Sequence, residues 1–244
     1  MPTLALLATC PYGALTLAIG QCRWIDVPAD GLVVALGEPC NESVSRPMFG
    51  PTHPLVQLCG DAVQPVERET LDAGWPFSRD RYEPRGALAA FLDRPGVSAR
   101  LVTDLPGAEV RALAVLPYAG LADWASASWR ARPDRPRTEV LDWLAPAYPH
   151  GLDRPDPVAV AVADALHQLA VGAGCRRVAM EGAGRSLAAT QSSVRGVRLF
   201  ADAHPDVPLE IVLHRSNPGE ARSALRAIPA LYMSGLAYRT THLR

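Results

Sequence analysis

The chain contains no lysine: all 24 of its Lys-plus-Arg positions are arginine. That absence excludes Schiff-base chemistry and a lysine general base. It leaves the planar guanidinium, which grips phosphate or carboxylate through paired hydrogen bonds, as the permanent side-chain cation. An excess of either charge is lacking too. With 25 Asp plus Glu the formal net charge is −1, which argues against a general binder of nucleic acid or of a membrane surface, since both need a basic face. No CxxC pair occurs. The cysteines Cys10, Cys22, Cys40, Cys59 and Cys175 are odd in number and widely spaced, the pattern of reduced thiols rather than of a disulfide framework. Cys40, His53 and Cys59 match no zinc spacing, so neither a metal nor a cofactor is expected. No apolar run reaches the length that spans a bilayer, and the opening run Thr3 to Thr9 lacks the basic start of a signal peptide. A cytoplasmic protein is the expectation. Gly-x-Ser-x-Gly elbows, Walker loops and helical His-Glu pairs are likewise absent.

What remains is an apolar chain with punctuated elements. Hydrophobic residues make up 48% of 244 positions, ample for a packed core, and the length suits one large domain covering residues 1–244. Leu4 to Ala8 reads as a strand, Pro11-Tyr12-Gly13 as a turn and Ala14 to Ile19 as a returning strand. Leu32 to Leu36 is apolar on both faces, as in a strand covered on both sides. A short helix is expected over Leu55 to Cys59, a second over Arg85 to Leu92, and strands over Ala99 to Thr103 and Val110 to Leu116. Residues 119–155 hold Trp124, Trp129, Trp143 and Tyr148 among prolines and arginines, and read as an insertion too short to fold alone.

From Asp156 the pattern becomes regular. Asp156 caps a helix that has Pro157 at its first position, with Val158, Ala161, Val162, Ala165, Leu166 and Leu169 on one face. Arg177 to Met180 follows as a buried strand. A helix from about Thr190 to His204 turns Val194, Val197 and Ala201 inward. Leu209 to Leu213 is a strand, and Asn217-Pro218 starts a helix through Ile228. Alternating helices and strands imply an α/β layer architecture.

In such sheets ligands sit where strands lead into helices. Two loops have that position. Glu181-Gly182-Ala183-Gly184-Arg185-Ser186 follows a strand, its glycines letting backbone N–H groups approach an anion, with Arg185 able to add a charge-assisted bond. The stretch Glu38 to His53 follows the most buried-looking strand, and Gly50-Pro51-Thr52 can begin the next helix. Glu38, Asn41, His53 and Glu181 are the candidates for positioning or activating water.

The ordered set resembles a macrodomain, the ADP-ribose-binding α/β/α fold. The stretches that carry the likeness are Leu17-Ala18-Ile19-Gly20 with Ile25 to Val34, Gly50 to Gly60 with Val66 to Glu69, Gly96 to Pro117, and Val178 to Gly184 with His204-Pro205. Together they span most of residues 14–215 outside the insertion. The resemblance implies a three-layer α/β/α fold with a central mixed sheet, and a crevice that accepts phosphate. Gly184 and Arg185, with Gly182, Ala183 and Ser186, would hold it against Gly37, Gly50 and Thr52, and His214 would stack on a base. The ligand-reading residues are mostly substituted. The family's adenine-contacting aspartate falls at Gln21, its Asn-Ala-Ala-Asn run at Val34-Ala35-Leu36-Gly37, and its last aromatic at His214. A module for ADP-ribose or a related nucleotide or phosphate-bearing ligand is the first expectation. An ADP-ribosyl-type hydrolase on the same scaffold is the second. The third is a ligand-free interaction module that meets a protein partner, or itself, through 119–155, since aromatic and arginine anchors dominate interfaces.

Overall fold

Among the described residues, seven strands form the central sheet. The computed structural model describes residues 5–21, 24–36, 50–66, 82–86, 100–103, 105, 108, 110–117, 156–181, 187–215 and 217–233. The strands are β1 (Ala5–Tyr12), β2 (Leu15–Gln21), β3 (Gly31–Leu36), β6 (Arg100–Val102), β7 (Ala112–Pro117), β8 (Arg177–Met180) and β9 (Leu209–Arg215). A separate pair, β4 (Val63–Pro65) and β5 (Tyr82–Pro84), is antiparallel. The main sheet runs β1-β2-β9-β8-β3-β7-β6. Its five central strands are parallel, and both outer strands are antiparallel to their neighbours. It is a mixed sheet, as expected.

Side chains alternate along each strand, so each strand feeds two cores. Leu17, Ile19, Val33, Val178, Met180, Ile211 and Leu213 face one side. Leu32, Val34, Ala179 and Val212 face the other. The first side is covered by α2 (Pro157–His167), α3 (Leu187–Ala203), α4 (Pro218–Ala227) and the short α5 (Pro229–Tyr232). The second is covered by the 3-10 turn Trp24–Asp26, by α1 (Pro54–Leu58) and by the turn Gly60–Ala62. The fold is therefore a three-layer α/β/α arrangement with helices on both faces.

Local chemistry accounts for most boundaries. Asp156 caps α2 by accepting from Val158 N at 3.1 Å and Ala159 N at 3.4 Å, and Asn217 caps α4 through Glu220 N at 3.0 Å. Each is followed by a proline that fits the first turn. Residues Ala159 to Ala163 of α2 are all buried, because α3 covers the flank that the sheet leaves open. α3 approaches closely at Gly196, where a Cβ would stand 2.6 Å from both Ala159 O and Val162 Cβ.

Some expectations change. Pro11 and Tyr12 belong to β1, paired with Thr16 and Leu15, and the turn is confined to Gly13 and Ala14. A proline is tolerated there because β1 is an edge strand, and Gly13 takes the positive φ of 59°. α3 starts at Leu187, three residues before Thr190. Tyr82–Pro84 is a strand, and all of the expected helix Arg85 to Leu92 beyond Gly86 lies outside the described residues, as does the 119–155 insertion. No helix among the described residues is long and apolar enough to cross a membrane.

Candidate functional site at the switch point of the sheet

The five parallel strands deliver their carboxyl ends, Gln21, Arg215, Met180, Leu36 and Pro117, to one edge of the sheet. At the centre of that edge β3 and β8 are neighbours, with Val33 opposite Met180. Their chains leave in opposite directions. From β8 the chain passes through α3 on the first face to β9, and from β3 it passes through α1 on the second face and later reaches β7. This divergence is a topological switch point, where an α/β sheet opens a crevice between two connections. The two loops singled out from sequence are those two connections.

The register that brings these strands together is fixed at their other ends. The Asp30 carboxylate accepts from Arg176 N at 3.0 Å and from Arg177 N at 2.9 Å, while Asp30 N donates to Arg177 O at 2.9 Å. Asp30 therefore ties the start of β3 to the start of β8. A groove of about 360 Å³ also opens at this amino edge, lined by Pro28, Ala29, Asp30, Arg176, Arg177 and Glu210. It lies opposite the switch point, and most of its charge is engaged within the fold: Arg177 pairs with Glu210 at 2.6 Å, and Asp30 holds the two backbone amides.

Several predicted site residues are placed at or near the carboxyl edge. Glu181 directly follows β8. Gly50 begins the turn into α1, its carbonyl accepting from His53 N at 3.0 Å, and Thr52 is exposed on that turn. His53 caps α1, its Nδ1 accepting from Leu55 N at 3.3 Å, so it organises the helix start as a side-chain cap does. His214 is 3% exposed, and its ring centroid lies 3.9 Å from that of Trp24 at an interplanar angle of 31°. Trp24 thus occupies one face of the ring that the resemblance assigns to a base. Gly37, Glu38, Asn41, Gly182, Ala183, Gly184, Arg185 and Ser186 lie outside the described residues. Cys59 is fully buried, which pushes its thiol up to about 12. It is protonated at neutral pH and poorly suited to metal or nucleophile chemistry.

Three residues at this edge escaped the sequence reading. Arg215 ends β9 and is 2% exposed. Its Nη1 donates to the carbonyls of Glu181 and His214, the latter at 2.9 Å, and its Nη2 donates to Thr190 Oγ1 at 3.1 Å. Thr190 is itself fully buried in the first turn of α3. Trp24, 5% exposed, closes the second face over His214. The one local sign was a charged residue two positions after Leu213, where the strand was expected to stop.

No protein-family model matches the chain, and no curated protein matches it in sequence. Solved structures do resemble it. An asparagine-to-alanine variant of the Oceanobacillus iheyensis macrodomain is 12% identical with a TM-score of 0.50, covering 94% of each chain. An aspartate-to-alanine variant of that macrodomain is 11% identical with a TM-score of 0.49, over 92% of this chain and 97% of that one. The same macrodomain with ADP is 11% identical with a TM-score of 0.48, over 94% of this chain and 97% of that one. Together with the mixed sheet and its two helical layers, the first of these likenesses gives the chain a macrodomain-like three-layer α/β/α fold, and at that identity it speaks for the fold alone.

Proposed function

We propose that the chain is a binding module for ADP-ribose or a related nucleotide or phosphate-bearing ligand, held in the crevice at the switch point between β3 and β8. The observation that carries this reading is the divergence of the two connections at adjacent parallel strands, the position at which α/β sheets take ligands. The glycines of 182–186 supply a backbone able to approach phosphate oxygens. Gly50 and Thr52 form the opposing wall, and Arg185 adds a cation at the loop. Trp24 and His214, both buried, make an aromatic pair beside the end of β9. A nucleotide offers the anion that such a loop takes. The sequence resemblance, which puts a phosphate loop at Val178 to Gly184, supports the same ligand class.

Isothermal titration of the chain with ADP-ribose, AMP, ADP and inorganic phosphate tests the reading. Binding of at least one phosphate-bearing ligand is expected, with loss on Gly184→Val, whose side chain would stand between the loop backbone and the phosphate. Absence of heat for every ligand at high protein concentration would remove the proposal.

A further inference from the structure

Among the largest fully buried side chains of the described residues, one carries a charge. Arg215 is 2% exposed, and its guanidinium stays protonated at any pH a folded protein meets. Removing such a group from water is unfavourable, which its bonds to the Glu181 carbonyl, the His214 carbonyl and Thr190 Oγ1 must offset. These partners are not scattered. Glu181 is the last described residue before the β8–α3 connection, and Thr190 lies in the first turn after it. One planar fork therefore fixes the chain on both sides of that connection and ties it to β9. The alternation along β9 explains the reach: Leu213 faces the α3 side, His214 the Trp24 side, and Arg215 the α3 side again. An apolar residue of similar volume would serve packing as well, since buried charged groups are commonly replaced by hydrophobic ones at little or no cost.

We propose that Arg215 is the positioning residue of the anion site, acting from beneath the crevice rather than inside it. It sets where the backbone at Glu181 and the first turn of α3 stand, and it places a desolvated positive charge under the ends of β8 and β9. The ligand it selects is anionic, carrying phosphate or carboxylate. This inference rests on the reading that an anion binds at the switch point.

The test compares wild type, R215K and R215M in two measurements: affinity for ADP-ribose by titration, and amide exchange of the free proteins by mass spectrometry. Lysine keeps the charge and loses the fork, whereas methionine keeps only the volume. Affinity is expected to fall about tenfold in R215K and about a hundredfold in R215M, with faster exchange in the first turn of α3 and unchanged protection in β2 and α4. Partial retention by lysine is the result that a purely structural role does not produce. Equal losses in the two variants, or wild-type affinity in both, would overturn the inference. Where R215M does not fold, R215K against wild type carries the test: a tenfold loss with local exchange supports it, and no change overturns it. Should wild type bind none of ADP-ribose, AMP, ADP and inorganic phosphate, the proposed function fails, and the exchange measurement then decides the positioning role alone. Faster exchange confined to the first turn of α3 supports that role, and unchanged exchange overturns it.

Discussion

Gly196 shows how a single atom sets the distance between two helices. It sits inside α3, where replacing glycine by alanine ordinarily gains about 1 kcal/mol of helix propensity. Here an added Cβ would meet Ala159 O and Val162 Cβ at 2.6 Å. One of these is a backbone oxygen of the buried α2, which cannot swing away as a side-chain tip can. Overpacking of this kind costs roughly 1–3 kcal/mol, and more where backbone must shift, so the overlap outweighs the propensity gain. Gly196→Ala is expected to lower the urea midpoint by the equivalent of about 1–2 kcal/mol with an unchanged denaturant slope. A midpoint equal to or above wild type would show that α2 and α3 separate freely. At this scale the sequence was only partly readable. Val194, Val197 and Ala201 were expected inward and are buried, because helical period alone decides them. Arg215, Thr190 and the Trp24–His214 contact were missed, because each depends on a partner far along the chain. Trp24 meets His214 across some 190 positions, and no local pattern encodes that pairing.

Elements were readable where their ends carry chemistry. Asp156-Pro157 and Asn217-Pro218 mark α2 and α4 because cap and first-turn proline are adjacent in sequence. The start of α3 carries no such mark among Leu187, Ala188 and Ala189, and it was placed three residues late. At the other end of the α2–α3 pair, His167 Nδ1 lies 2.9 Å from His204 Nε2, with the rings 5.0 Å apart and Phe200 5.0 Å from His204. A single proton fits between the two nitrogens, so the contact requires one of them to be an acceptor. Burial lowers the pKa of His204 below its usual 6.5. The folded state then binds fewer protons than the unfolded state just below that value, and stability rises with pH through this window. The contribution is fully present above 6.5 and is lost as pH falls from there through the lowered folded value. Thermal unfolding followed from about pH 7.5 down to about pH 5 should show a falling midpoint that is flatter in His204→Phe. Parallel curves for the two proteins would remove this pair as the cause.

At the scale of the molecule, alternation of helices and strands pointed to an α/β layer architecture, but it left the strand order open. The order β1-β2-β9-β8-β3-β7-β6 arises from pairings between strands far apart in sequence, such as β2 with β9 and β3 with β8. Those pairings bring the carboxyl ends of β3 and β8 to one edge of the sheet. Asp30 holds that arrangement from the amino edge, bonding β3 to the start of β8, while Arg215 holds the carboxyl edge. The proposed function puts an anionic nucleotide over the carboxyl ends of β3 and β8, not in the amino-edge groove of Pro28, Arg176 and Glu210. A crystal of the protein soaked with ADP-ribose tests it most directly. Difference density for the phosphates is expected between the backbone following Met180 and the turn at Gly50 to Thr52, with the Arg215 guanidinium beneath. Density in the amino-edge groove, or none at the switch point when the site is open to solvent in the lattice, would contradict it.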